Sequence, residues 1–184
     1  MADQDEFIML RNVRVSFPHL FKKPMIRTKD GMQEGKYGAL LMLEKTDDKA
    51  VIAKISARIQ AIVSDNFDLE LEPGKLCLRD GKYKGLSEYM TLSANTDTQP
   101  FVIAADGESQ IISAATSKIY AGCRVNAKVR LWPQDNQYGK RINAQLVAIQ
   151  FAADDEPLTS SRGSEADALK GFGAVEAYDD AFAA

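Results

Sequence analysis

Cysteine, histidine and tryptophan are scarce in this chain: two, one and one among 184 residues. Cys77 and Cys123 lie far apart with no CxxC spacing and His19 stands alone, so neither a disulfide framework nor a zinc site is indicated. Both thiols are expected to be small buried hydrophobes. No run approaches the ~20 apolar residues of a membrane-spanning helix, and the opening MADQDEF is acidic where a signal peptide is basic. A cytosolic protein with no membrane partner is the expectation. Catalytic motifs are missing as well: there is no GxSxG, no GxxxxGK[ST] and no HExxH. Asp47 and Asp48 sit where helix starts place acids. The sequence therefore assigns no catalytic residue, no metal and no cofactor.

The charge is segregated. Overall there are 23 basic and 26 acidic residues, a net charge of −3. Eight of the acids but only two of the bases lie beyond Ala152, so residues 1–152 carry +3 and the remainder −6. This division predicts a charged body, 1–152, and a flexible acidic C-terminal tail, 153–184, of small and polar residues without sustained periodicity.

Within the body, Val51, Ile52, Ile55, Ile59, Ile62 and Val63 fall on one helical stripe, predicting a single helix from Thr46, as N-cap, to about Asn66. The rest reads as strands: 7–17, 36–43, 75–80, 88–95, 100–103, 123–132 and 141–151. In the first of these Ile8 and Leu10 share one parity while Val13, Val15 and Phe17 share the other, which predicts a bulge near Arg11 and Asn12. The segment KKPMIRTKDGMQEG reads as a Gly-containing, charged loop. Phe17, Phe21, Phe67 and Phe101 are assigned to the core. This pattern predicts a mainly β chain with one prominent α-helix, folded as a small OB-type barrel. Strand number alone leaves an SH3-like barrel or a sandwich open.

The stretch CRVNAKVRLW, residues 123–132, carries the functional signal. In a strand, Cys123, Val125, Ala127, Val129 and Leu131 face one way, and Arg124, Asn126, Lys128, Arg130 and Trp132 the other. A cationic groove combined with exposed aromatic rings is what single-stranded nucleic acid requires, because phosphates need charge and bases stack on rings. Arg124, Lys128, Arg130, Lys82, Lys84, Lys140 and Arg141 are the candidate phosphate contacts. Trp132, Tyr83, Tyr89 and Tyr138 are the candidate stacking platforms. The acidic, aromatic tail can compete for the same groove.

With these residues in view, the chain resembles the phage-encoded OB-fold single-stranded DNA-binding proteins of tailed-phage replication modules. The resemblance rests on VRVSFPHLF, KYGALLMLEK, the LRDG turn, SKIYAGCRVNAKVRLW, GKRINAQLVAIQF and a terminus in which acids precede an aromatic, YDDAF. It implies coating and protection of single-stranded DNA, with little sequence preference, in replication, recombination and repair, in the cytoplasm of the infected bacterial host. It also implies recruitment of replication proteins, such as polymerase or helicase-primase, through Tyr178, Asp179, Asp180 and Phe182. Here Phe182 is followed by Ala183 and Ala184, a departure from relatives that end on the aromatic. A monomer and a homodimer are both compatible with the sequence. A non-enzymatic OB or SH3-like adaptor or structural protein, and an RNA-binding protein, are the alternatives.

Overall fold

The computed structural model describes residues 6–158 together with Leu169 and Gly171. Strand β1 runs Phe7–His19, and β2 (Met25–Thr28) and β3 (Gly31–Glu34) form a separate hairpin. There follow β4 (Tyr37–Glu44), helix α1 (Lys49–Asn66), β5 (Leu78–Asp80), β6 (Tyr89–Thr96), β7 (Phe101–Ile103), β8 (Arg124–Asn136) and β9 (Gly139–Ala153). The main sheet has the order β5-β6-β4-β1-β8-β9-β7, and a further parallel contact between β6 and β9 closes β1, β4, β6, β9 and β8 into a five-stranded barrel. The closing contact falls at Ala94 opposite Ala144, where two small side chains let the strands approach. This is the OB-type barrel expected from the sequence, mainly β with one long helix.

Hydrophobic alternation fixes the register. Val125, Ala127, Val129 and Leu131 of β8 are buried, whereas Arg124, Asn126, Lys128, Arg130 and Trp132 are not. In β1 the pairing with β8 skips between Leu10 and Val13, and Asn12 takes a φ of +55°. One extra residue is absorbed there, so Ile8 and Leu10 before the bulge and Val13 and Val15 after it all reach the core. Burial of Val and Leu side chains of this kind stabilises the fold by about 1.5–3 kcal/mol each.

Helix α1 buries Ile55, Ile59, Ile62 and Val63 and packs against β8 and β9. Its N-cap is Asp48, not the expected Thr46. The Asp48 carboxylate accepts a hydrogen bond of 2.8 Å from the Glu44 amide, so it ties the helix start to the end of β4 instead of capping the helix's own amides. Both cysteines are buried and free. Burial pushes the Cys77 thiol up to about 11, which keeps it protonated and unreactive at neutral pH.

Two further expectations fail. The segment expected as a loop contains the β2–β3 hairpin, with Thr28 opposite Gly31 across a two-residue Lys29-Asp30 turn. Its side chains are almost all exposed, so no buried face marks it in the sequence. Of the four phenylalanines assigned to the core, Phe67 is buried and Phe21 packs at its edge. Phe17 and Phe101 are 64% and 54% exposed. Phe101 lies on the short outermost strand β7, which has one neighbour and covers little. Phe17 is turned out of the barrel by its own backbone, as described below.

Candidate nucleic-acid interface

The outward residues of β8 do not form one continuous cationic trough. The structure divides them among three places.

A cleft of about 670 Å³ opens beside them. The β8–β9 hairpin supplies Trp132, Gln134, Asn136, Tyr138, Arg141 and Asn143 to one side, and Lys36, Lys75, Arg79, Ser93 and Asn95 line the other. Trp132 pairs with Asn143 across the hairpin, and its indole is 38% exposed. Tyr138 at the hairpin tip is 73% exposed. The tip is set by Asn136, whose Oδ1 accepts the Tyr138 amide at 2.9 Å. Arg79 donates to the carbonyls of Leu76 (2.9 Å) and Gly74 (2.7 Å). These bonds orient its guanidinium without cancelling its charge. Arg141 has no hydrogen-bond or ion-pair partner among the described residues. Lys36 faces Asp97 at 3.5 Å, with both side chains well exposed, a pair that solvent screens to little net energy. Four cations and two accessible rings therefore share one concavity. It lies at the mouth of the barrel, between the third barrel strand, β6, and the loop joining the fourth and fifth, where OB barrels bind oligonucleotides.

Three of the residues singled out from the sequence, Trp132, Tyr138 and Arg141, meet in this cleft. Lys140 is turned aside, its ammonium 5.4 Å from the Phe67 ring centroid and 3.9 Å from Asp135. The cleft also contains Lys36, Lys75 and Arg79, which sequence reasoning missed. The signal for Arg79 was present, since in LCLRD it alternates with buried Leu78. The proximity of Lys36 depends on barrel closure, which no local pattern records.

Lys128 belongs to a second, shallower cleft of about 440 Å³ with Met9, Arg11, Asn126, Ile103 and Gln150. Its ammonium lies 5.7 Å from the Phe7 ring centroid. Arg130 lies between the two clefts, bound to Glu6 (2.7 Å) and Gln145 (3.0 Å).

Arg124 occupies a third place, where its charge is already matched. Its Nε meets Asp155 and its Nη2 meets Glu44, each at 2.7 Å, while Nη1 donates to the Asn12 carbonyl at 3.1 Å. Arg14 beside it donates to the carbonyls of Gly122 (3.1 Å) and Glu156 (2.5 Å) and to the Tyr89 hydroxyl (3.3 Å). Tyr89, expected as a stacking platform, is therefore half-buried in an ionic network away from the cleft. The network docks the first residues of the acidic segment. The single proton of the Tyr120 hydroxyl is shared between Asp154 (3.0 Å) and the Asp155 carbonyl (2.9 Å), and the Leu158 amide reaches the Ala121 carbonyl at 2.9 Å. Gly122 permits this close approach: its φ is +107°, and a Cβ there would strike the Glu156 carbonyl. The Glu156 amide and the Arg124 guanidinium hold the Asp155 carboxyl below its usual range.

Residues 81–84 form a 3₁₀ turn, held by the Lys82 amide donating to Asp80 at 2.9 Å. The side chains of Tyr83 and Lys84, and the tail residues Tyr178, Asp179, Asp180 and Phe182, lie outside the described residues. Among the described residues no group of His, Cys, Asp or Glu could hold a metal ion, and no helix is long and apolar enough to cross a membrane.

Comparison with known proteins places this architecture. A family model described as "Enterobacter phage Enc34, ssDNA-binding protein" matches residues 6–182. Protein p50 of Acyrthosiphon pisum secondary endosymbiont phage 1 is 32% identical over 186 residues, covering 94% of this chain and 92% of that one. The solved single-stranded DNA-binding protein from bacteriophage Enc34 superposes with a TM-score of 0.74 at 29% identity, over 91% of this chain and 92% of that one. The same phage protein in complex with ssDNA gives a TM-score of 0.74 at 30% identity, over 85% and 91%. The chain belongs to the family of the Enterobacter phage Enc34 ssDNA-binding protein.

Proposed function

We propose that this protein binds single-stranded DNA in the Trp132 cleft and performs no bond chemistry. The observation that carries the reading is the meeting of Lys36, Lys75, Arg79 and Arg141 with the exposed rings of Trp132 and Tyr138 at the barrel mouth. The cations contact phosphates, while the rings stack bases without regard to sequence, each stack contributing about 1–3 kcal/mol. Kinship with a phage protein solved in complex with ssDNA supports the same reading. The role that fits is coating and protection of single strands during phage replication, recombination and repair, in the cytoplasm of the infected host. The acidic tail is docked at its root by Arg14 and Arg124, competes with DNA for the cleft, and recruits replication proteins.

The test is a titration of the full chain with oligo-dT, matched RNA and duplex, following Trp132 emission at two salt concentrations. The expected result is a change of emission on adding oligo-dT, with affinity falling steeply as salt rises. Binding without any change of emission removes Trp132 from the site, and preference for RNA or absence of binding overturns the assignment. Removing the residues after Leu158 is expected to tighten oligo-dT binding at low salt. An unchanged or weaker affinity contradicts the competing role of the tail.

A further inference from the structure

Phe17 departs from the pattern of its own strand. By alternation it follows Val13 and Val15 toward the core, yet its φ is +48° and its ring is 64% exposed. In the left-handed region a bulky side chain crowds the neighbouring carbonyl, a strain that glycine escapes. An exposed phenyl ring also forgoes the burial that stabilises Val15. Two unfavourable choices at one position of a packed barrel call for a compensating gain, and backbone strain of this kind concentrates at binding sites.

Its placement says what that gain is. The pairing of β1 with β4 is interrupted between Ser16, opposite Leu40, and His19, opposite Gly38, and Phe17 occupies the interruption. On the next strand Gly38 pairs with Asn95, and Asn95 lines the Trp132 cleft. A Cβ on Gly38 would strike the Asn95 Oδ1, so the Asn95 amide lies over Gly38 of β4, in the space a side chain would fill. Phe17 thus lies two strand spacings, about 10 Å, from Asn95 along the sheet. The row through Trp132 runs by way of its partner Asn143, then Ser93 in the register set by Ala94 opposite Ala144, then Leu40, to Ser16 next to Phe17. Trp132 stands at one end of this row and Phe17 beside the other, and Lys36 lines the cleft. Phe17 also sits where β1 enters the first long connection, one of the two loops with which OB barrels hold oligonucleotides.

We propose that Phe17 is a base-stacking platform that extends the Trp132 cleft across β6 and β4, so that one single strand contacts both rings. This rests on the single-stranded DNA reading above. The strained backbone holds the ring in solvent, facing a base, where an unstrained strand would turn it into the core.

The test measures oligo-dT affinity and thermal unfolding in parallel for the full chain and for Phe17→Gly, Phe17→Asn and Phe17→Tyr. Glycine and asparagine both accept a positive φ, so each removes the ring while keeping the backbone conformation. Phe17→Gly and Phe17→Asn are expected to bind oligo-dT about 5- to 100-fold more weakly while unfolding at or above the wild-type temperature. Phe17→Tyr keeps a stacking surface and is expected to bind within about twofold of wild type. Wild-type affinity in both Phe17→Gly and Phe17→Asn overturns the proposal while leaving the cleft reading intact. Failure of the unaltered chain to bind oligo-dT overturns both.

Discussion

Arg124 and Arg141 are the same residue type, and both face outward from the β8–β9 hairpin, yet they do different work. Arg124 is matched by Glu44 and Asp155 and by a backbone carbonyl, so its charge is spent inside the protein. Arg141 opens into a cleft beside Trp132 and Tyr138 with no carboxylate partner among the described residues. The difference teaches that a cation read from a sequence becomes a candidate phosphate ligand only when the fold leaves it without an acid. One end of the hairpin holds the molecule together. The other is available to a ligand.

That contrast can be broken by substitution. Trp132→Ala is expected to have the largest effect on binding, weakening oligo-dT by about 10- to 100-fold with little loss of stability, because the ring is already partly in solvent. Fluorescence anisotropy with a labelled oligonucleotide checks the first part and thermal unfolding the second. Arg124→Ala is expected to do the reverse, costing about 2 kcal/mol of stability by leaving Glu44 and Asp155 without their hydrogen-bonded cation. Denaturant titration measures that loss, and the affinity of the folded fraction for DNA is expected to stay within about twofold. Arg141→Ala is expected to weaken binding about tenfold and to lower the slope of log affinity against log salt by about one. Lys128→Ala in the second cleft tests whether the boundary is sharp, and is expected to change affinity by less than about threefold.

The smallest expected effect concerns pH. Because the Asp155 carboxyl is held below its usual range by the Glu156 amide and Arg124, its contribution is complete above the ordinary aspartate range. It is lost as pH falls through the lowered folded value. Docking of residues 154–158 is therefore expected to persist at neutral pH and to loosen only in acid. Amide hydrogen exchange at Leu158 across that range checks this.

Much of the fold was legible because alternation and periodicity are local. The β8 face, the bulge in β1 and the buried stripe of α1 all follow from side-chain parity. The β2–β3 hairpin was not legible, because a ribbon that buries nothing has no apolar face to show. The site was half legible. Trp132, Tyr138 and Arg141 share a hairpin and were found together. Lys36, Lys75 and Arg79 reach them through the contacts of Ala94 with Ala144 and of Leu76 with Ile142, long-range closures with no signature in spacing. Parity marked Arg124 as outward-facing but could not reveal the carboxylates of Glu44 and Asp155, which approach from other parts of the chain. Phe17 was misread for the opposite reason: parity assigned it inward, and a single left-handed backbone angle turns it out.

Photochemical cross-linking of oligo-dT to the full chain, with the attached peptides identified by mass spectrometry, tests the central claim most directly. The account predicts adducts on the hairpin peptide carrying Trp132 and Tyr138. Adducts confined to Tyr89 and Tyr120, at the end where the cations are already paired, would contradict it.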